Sequence, residues 1–220
     1  MGKWQDTHGQ TIKFFLDFLN KKSDIFILKG GTALSTCYGL NRFSEDIDLD
    51  GTQRNMEIIV DQFCTANGYT YRSGKDTHTV QRYFINYGNI GKPLKIETSY
   101  RRKEIPDNEI TCINGINVYT INSLCIMKSN AYSGRDKIRD LFDLSFIVNN
   151  CFDRLDASTV LLVQSVLQTK GIEQFDYLIQ TQADELIDKD KLETEFLKMH
   201  EKLGLLVDEA PSNGFASVNS

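Results

Sequence analysis

Two acidic residues separated by a single position, Asp46 and Asp48, are the clearest chemical signal in the chain. They lie in a segment, 46–51, that alternates acidic and apolar residues before a glycine, which predicts a β-strand. Side chains two residues apart on a strand point to the same face. Two carboxylates held so close repel each other unless a cation lies between them. The pair therefore predicts a site for Mg²⁺ (or Mn²⁺), an ion often bound by one or two carboxylates plus substrate phosphates. Ordinary solvated acids on an exposed strand are the alternative.

A glycine pair precedes the acidic segment. Gly30 and Gly31 follow the apolar run 25–28, which predicts a buried strand, and precede a predicted helix at 33–38. A strand-to-helix turn without side chains lets backbone amides approach a phosphate, and Thr32 can add a hydroxyl donor. The chain contains no Walker A loop. The glycines thus predict a phosphate-binding turn, with a purely structural tight turn as the alternative.

Taken together, the two motifs resemble those of a known family. The blocks Lys29-Gly-Gly-Thr-Ala-Leu34 and Arg42-Phe-Ser-Glu-Asp-Ile-Asp-Leu49 are similar to the polymerase-β-like nucleotidyltransferase superfamily and, within it, to the AbiEii toxin family. The resemblance is traceable to about Val148. It implies metal binding by Asp46 and Asp48. The nucleotide-binding residues expected from the motifs and the resemblance are Lys29, Gly30, Gly31, Thr32, Arg42, Ser44 and Lys128. Arg42 and Ser44 are further expected to orient the acids or pair with them.

The superfamily commonly carries a third acid on a later strand. The candidate is Glu97, which shares a strand face with Lys95 in the segment 94–98. Aspartate is more usual at this step, and an exposed acid paired with Lys95 is the alternative reading of Glu97.

The helical half adds a row of charged residues. Lys128, Tyr132 and Arg135 share one helix face, and Asp140 and Asp143 share a face of the next helix. A salt-bridged, solvated face is the ordinary meaning of this pattern. The resemblance implies instead that Lys128 contacts a phosphate or a base, with Asp140 or Asp143 as the acid that orients it.

Predicted elements divide the chain into an α/β part and an all-helical part. Further strands are predicted at 69–72, 79–87, 94–100, 110–113 and 117–119, with a turn at 86–91 between two of them. Helices are predicted from Ile121 onward, with breaks near Gly134, Asn149, Gly171 and Asp188. We therefore expect an α/β (α+β) fold. It comprises a nucleotidyltransferase domain with a mixed sheet at 1–120, a helical domain completing the site at 121–205, and a flexible tail at 206–220.

Composition limits the setting and the partners. The chain of 220 residues has 40% hydrophobic residues and a net charge of −5, so an RNA partner would need a local basic patch. One candidate patch is the segment 92–103, although a solvated strand end is the commoner meaning of such a sequence. The five scattered cysteines predict reduced thiols, and no apolar run reaches the roughly 20 residues of a membrane span. We expect a cytoplasmic protein without a membrane partner.

These observations predict a Mg²⁺-dependent nucleotidyltransferase that transfers a nucleoside monophosphate from a nucleoside triphosphate to a hydroxyl acceptor. The resemblance implies a toxin of a bacterial abortive-infection or toxin–antitoxin system, with a cognate antitoxin protein. It also implies RNA as the acceptor, the acceptor end of tRNA being one candidate. A small-molecule nucleotidyltransferase of the antibiotic-modifying type and a non-catalytic nucleotide-binding protein are the alternatives.

Overall fold

The computed structural model describes residues 3–88 and 91–206, which form seven strands and seven α-helices. The strands are β1 (Phe26–Lys29), β2 (Asp46–Gly51), β3 (Thr70–Thr77), β4 (Val80–Asn86), β5 (Leu94–Ser99), β6 (Ile110–Ile113) and β7 (Ile116–Tyr119). The α-helices are α1 (Lys3–Lys22), α2 (Gly30–Cys37), α3 (Met56–Asn67), α4 (Ile121–Gly134), α5 (Ile138–Cys151), α6 (Ala157–Thr181) and α7 (Lys189–Lys202). Two 3₁₀ turns occur at Asp107–Glu109 and Phe152–Arg154.

All seven strands belong to one mixed sheet in the order β3-β4-β5-β2-β1-β7-β6. The central strands β1 and β2 pair antiparallel, whereas β2 pairs parallel with β5 and β1 pairs parallel with β7. The hairpins β3–β4 and β6–β7 form the two edges. The acidic strand β2 therefore lies in the middle of the sheet, between β1 and β5.

Helices α1 and α3 cover one face of this sheet. The alternating residues Ile47 and Leu49 of β2 are buried there, as the strand pattern predicts. On the helix side Phe15 of α1 meets Phe63 of α3 edge to face, with ring centroids 5.1 Å apart. The opposite face of β2 carries the acids, so the burial of the apolar face determines where the carboxylates point.

The mixed α/β fold is confirmed, and most element positions match their predictions. Helix α2 begins at Gly30 itself, so the predicted glycine turn is the first turn of the helix. The break predicted near Asn149 and Asn150 is confirmed: α5 ends at Cys151, a 3₁₀ turn follows, and α6 begins at Ala157. The break predicted at Gly171 is a kink within α6, where this residue has φ 72°.

Some predictions concern residues outside the described ranges or are left untested by the fold. Residues 89 and 90 of the predicted turn and residues 207–220 of the predicted tail lie outside the described residues. The sheet ends at Tyr119 and α4 begins at Ile121, but the division into domains at residue 120 stays a prediction. All five cysteines are free thiols. Within the described ranges no helix is long and apolar enough to cross a membrane.

Candidate active site

The carboxylates of β2 lie on the sheet face opposite α1 and α3. Asp48 is paired in register with Lys29 of β1 on one side and with Glu97 of β5 on the other. Asp46 is paired with Lys95. Residues directly opposite each other on neighbouring strands share a face. The structure thus brings the two predicted metal ligands and the third acid together on one surface.

Basic side chains already neutralise part of this acidic group. The Lys95 ammonium lies 2.5 Å from Asp46 Oδ2. Glu97 is bound by Arg82 of β4, whose Nε donates to Glu97 Oε2 at 2.6 Å. The predicted alternative, a pair between Glu97 and Lys95, is therefore wrong: each of these residues pairs with a different strand. Asp48 is the member of the group without an ion pair among the described residues.

The environment of Asp48 disfavours its charged form. Burial raises the pKa of the Asp48 carboxyl, and the negative charges of Asp46 and Glu97 raise it further. The charges of Lys95 and Lys29 act in the opposite direction but do not reverse the rise. A buried carboxyl with a raised pKa beside other acids is a common sign of a functional site, because a bound cation would relieve the repulsion.

The glycine pair allows close approach between the first turn of α2 and this carboxyl. Gly30 has φ 76°, a conformation that favours glycine, and a Cβ atom there would lie 3.1 Å from Asp48 Oδ2. A Cβ atom on Gly31 would lie 2.5 Å from Arg42 Nη2, closer than such atoms can come. Both glycines are thus required by the structure beside Asp48, independently of any role in phosphate binding.

Two of the predicted nucleotide-binding residues, Thr32 and Arg42, are buried, and the partly exposed Ser44 contacts the first of them. The Thr32 hydroxyl, which is buried, donates to Ser44 Oγ at 2.8 Å and also contacts the backbone carbonyl of Asp46. Arg42 is buried and donates to both carboxylate oxygens of Asp143, each at 2.7 Å. The structure does not bring Thr32 or Arg42 to the cleft described below. Their contacts hold the segment that leads into the acidic strand, through Phe43, Ser44 and Asp46.

A second charged cluster joins α4 to α5. The Lys128 ammonium lies 2.6 Å from Asp143 Oδ2 and 3.2 Å from Asp140 Oδ1, so both candidate acids contact it. Arg135 also donates to Asp140, at 2.7 and 3.1 Å. Burial alone would raise the pKa of Asp140, but the hydrogen bonds and charges of Arg135 and Lys128 bring it below its usual value. The two ion pairs hold the Lys128 side chain in one direction.

One further residue holds a cleft side chain and was not predicted. Asp50, the third acid of the alternating segment, is buried and lies 2.5 Å from the Lys29 ammonium. Its other carboxylate oxygen accepts a hydrogen bond of 2.8 Å from the Tyr119 hydroxyl. The alternation that identified Asp46 and Asp48 extends to Asp50, and that extension was the available signal.

A cleft of about 610 Å³ connects the two charged clusters. It lies between the β1–α2 junction and α4, within the size range of small-molecule sites. Its lining residues comprise the predicted residues Lys29, Gly30, Gly31, Asp48, Lys128 and Asp140, together with Arg101, Leu124, Met127, Asn130, Ala131, Gly134 and Arg135. The cleft is therefore polar at the acids and glycines and partly apolar along α4, a combination that suits a nucleotide.

The donor set suits a hard divalent cation supplied together with a phosphate ligand. Asp46 and Asp48 offer carboxylate oxygens on one face, and Asp48 carries a raised pKa that a cation would lower. Within residues 3–88 and 91–206, no group of three or more His, Cys, Asp or Glu side chains could hold a metal by itself. Remaining ligands would have to come from a substrate, as is usual for Mg²⁺ bound with a nucleotide.

Comparison with known proteins points to the same chemistry. A family model described as the nucleotidyl transferase AbiEii toxin of type IV toxin–antitoxin systems matches residues 17–213. The crystal structure of JHP933 from Helicobacter pylori is similar, with a TM-score of 0.77 and 27% identity over 93% of this chain and 94% of the other. A second H. pylori protein, to which nucleotidyltransferase activity is ascribed, gives a TM-score of 0.74 and 25% identity over 95% of this chain and 100% of its own. No curated protein sequence matches. The chain belongs to the AbiEii nucleotidyltransferase toxin family.

Proposed function

We propose that this protein transfers a nucleoside monophosphate from a nucleoside triphosphate to a hydroxyl group of an RNA acceptor in a Mg²⁺-dependent reaction. The observation that carries the proposal is the cleft between the β1–α2 junction and α4. It places Asp48, the two glycines and Lys128 around one volume of about 610 Å³. A divalent-metal site and a fixed ammonium facing the same cleft are the parts that phosphoryl transfer requires.

Asp46 and Asp48 would hold the metal, because they are the partly exposed carboxylates of β2, whereas Asp50 is buried and paired with Lys29. The bound cation would steady the attacking and leaving oxygens and offset the negative charge of the phosphates. Binding of the metal requires the Lys95 ammonium to move away from Asp46. The flexible Lys95 side chain permits this movement. Asp48 lies close to Gly30, so a side chain at residue 30 would crowd the carboxylate that is proposed to bind the metal.

The other residues of the cleft bind and orient the nucleotide. Gly30 and Gly31 leave the start of α2 free of side chains, so that phosphate oxygens can approach the backbone. Lys128 places its ammonium opposite them, where it can offset charge that accumulates on the phosphates during attack on the α-phosphorus and loss of pyrophosphate. Leu124 and Met127 supply an apolar wall for the sugar or base.

The biological role is proposed on the family's description as a toxin of type IV toxin–antitoxin systems. We propose that the protein acts in the cytoplasm as the toxin of an abortive-infection or toxin–antitoxin pair. An antitoxin protein would restrain it, and RNA, with the tRNA acceptor end as the first candidate, would be its target. This role requires a transfer activity toward a cellular RNA, and that activity can be measured directly.

The experiment incubates purified protein with Mg²⁺, total bacterial RNA and each α-³²P-labelled nucleoside triphosphate in turn. Asp48→Asn is the test variant, and Asp17→Asn, which changes an exposed acid on α1, is its matched control. We expect label in RNA with the wild type and with the control, and none with Asp48→Asn. Label found only on a small molecule would show that the acceptor is a small molecule and not RNA. Nucleotide bound without any transfer would overturn the proposal in favour of a binding protein.

A further inference from the structure

The face of the sheet that carries Asp46 continues outward across β5, β4 and β3. The strand pairing aligns Asp46 with Lys95, Lys95 with Phe84, and Phe84 with Arg72. Residues paired in this way share a face of the sheet, so these four side chains form one row that begins at the carboxylates. A parallel row runs from Asp48 through Glu97 and Arg82 to Lys75. We call the surface formed by Arg72, Lys75, Arg82, Phe84 and Lys95 the basic sheet face.

This surface is open. Arg72 and Lys75 are exposed, and the Arg82 side chain is 34% exposed. Helices α1 and α3 cover the opposite face, where Tyr71 of β3 reaches Asp61 of α3. The helices α4 to α7 pack chiefly on one another. Among residues 3–88 and 91–206, the basic sheet face is therefore not covered by a helix.

The charges of this surface differ from those of the chain as a whole. The net charge of the protein is −5, but the two rows carry four basic side chains beside the carboxylates. Arg82 and Lys95 are paired with Glu97 and Asp46. Arg72 and Lys75 have no carboxylate within 4.0 Å in the described ranges. These two cations are available to a negatively charged partner, and a metal bound at Asp46 would release Lys95 as a third.

The surface also offers a plane for stacking. The Arg72 guanidinium lies over the Phe84 ring, 4.1 Å from its centroid. Gly74, at a bulge in β3, packs against the same ring, where a Cβ atom would lie 2.3 Å from Phe84 Cε2. The ring and the glycine thus hold a flat guanidinium at an exposed position. Guanidinium planes and aromatic rings are the groups on which unpaired bases of RNA stack.

The segment 92–103, the basic patch expected from the sequence, does not form a single patch. Lys92 pairs with Glu45, and Arg102 is held by Glu109. Arg101 lines the cleft, and Lys95 belongs to the basic sheet face. The side chains of this segment therefore point in several directions, and the cations suited to RNA come mainly from the hairpin β3–β4.

We propose that the basic sheet face binds the single-stranded end of the acceptor RNA and leads its terminal hydroxyl to Asp46 and Asp48. A base stacks on the Arg72 guanidinium, while Lys75, Arg82 and Lys95 contact phosphates. Three strand spacings of about 4.8 Å separate β3 from β2, roughly 14 Å in all. About four stacked nucleotides at ~3.4 Å each span that distance. The inference rests on the proposed transfer activity for the role of the RNA, but the binding surface can be tested without it.

The test measures binding of a fluorescein-labelled, single-stranded RNA of twelve nucleotides by fluorescence anisotropy at several salt concentrations. The variant Arg72→Ala/Lys75→Ala removes two cations from the basic sheet face. The control Lys13→Ala/Lys21→Ala removes two exposed cations from α1, on the other side of the sheet. We expect the test variant to bind RNA at least about tenfold more weakly, since stacking and phosphate contacts are both lost. The slope of log K against log salt should fall by roughly 0.7, for the one phosphate contact that is lost with Lys75.

Two further measurements separate the possible outcomes. The affinity for a nucleoside triphosphate and the unfolding temperature of the test variant should match the wild type, because neither side chain lines the cleft. Equal weakening by the test and control variants would overturn the proposal, since it would show general electrostatic attraction. An unchanged RNA affinity would overturn it as well, and a loss of antitoxin binding instead would assign the face to that protein. If the wild type binds RNA at this face but transfers no nucleotide to it, the proposed binding surface is supported and the proposed transfer activity is refuted.

Discussion

The buried ion pair between Arg42 and Asp143 should contribute more to stability than any other charged contact of the site. The Arg42 side chain is 4% exposed and that of Asp143 is 0% exposed. We predict that Arg42→Met leaves Asp143 buried with Lys128 as its remaining cation. Breaking a buried pair by removing one partner costs about 3–5 kcal/mol. Because Lys128 still contacts Asp143, we expect the lower end, about 3 kcal/mol. At roughly 2–4 °C per kcal/mol for a chain of this size, Tm should fall by about 6–12 °C.

The matched variant is Lys128→Met, which removes a cation from the same acid. Here Asp143 keeps both bonds from Arg42, and Asp140 keeps those from Arg135. Lys128→Met removes contacts to both acids, but each acid keeps its arginine, so we expect a loss of stability of about 2 kcal/mol, within the range for hydrogen bonds to charged groups, together with a loss of nucleotide transfer. Denaturant unfolding followed by circular dichroism measures both variants. A larger destabilisation by Lys128→Met than by Arg42→Met would refute the assignment of Arg42 to structure.

Two other predictions concern stability. Gly31→Ala should destabilise the protein by about 1–3 kcal/mol, as overpacking does, because its Cβ would meet the Arg42 guanidinium at 2.5 Å. Thermal unfolding measures this loss. The control is Gly9→Ala, whose Cβ would lie at an ordinary contact distance of 3.9 Å from Phe43 Cε2. Burial lowers the pKa of His8 and of His200. The unfolded chain therefore takes up protons at these histidines more readily than the folded chain does. Because of this difference, the free energy of unfolding should decline as pH falls below about 6.5. Unfolding curves between pH 8 and pH 5 would contradict this if the His8→Gln/His200→Gln variant showed the same slope as the wild type.

The sequence was most informative where local pattern and chemistry coincide. The alternation of acids with Ile47 and Leu49 predicted both the strand and the shared face of Asp46 and Asp48. When the apolar side chains of such a strand are buried, its acidic side chains must point to the opposite face. The glycine pair was found from its position between the apolar run of β1 and a predicted helix, and the structure adds that a Cβ at Gly30 would crowd Asp48 and one at Gly31 would meet Arg42. Both features are determined within about twenty residues of chain.

Pairing between distant segments could not be predicted in the same way. Arg42 was expected to act on the acids of β2, but its partner is Asp143 of α5. Lys95 was expected near Glu97, yet the parallel pairing of β2 with β5 gives it Asp46 instead. In both cases several acids could have paired with the basic side chain. Strand register determined the partner of Lys95, and helix packing determined that of Arg42. The basic sheet face has the same origin, because its residues come from three strands, β3, β4 and β5.

The contact between Arg42 and Asp143 can form only after the ribosome has synthesised both residues. The two residues are 101 positions apart, and Lys128 lies between them in the chain. A ribosome that adds about 5–20 residues per second needs roughly 5–20 s to travel that distance. For most of this interval the acidic strand has been made, but Asp143, the buried partner of Arg42, and Lys128, which lines the cleft, have not. A protein assembled in this order acquires its complete cleft only late in translation.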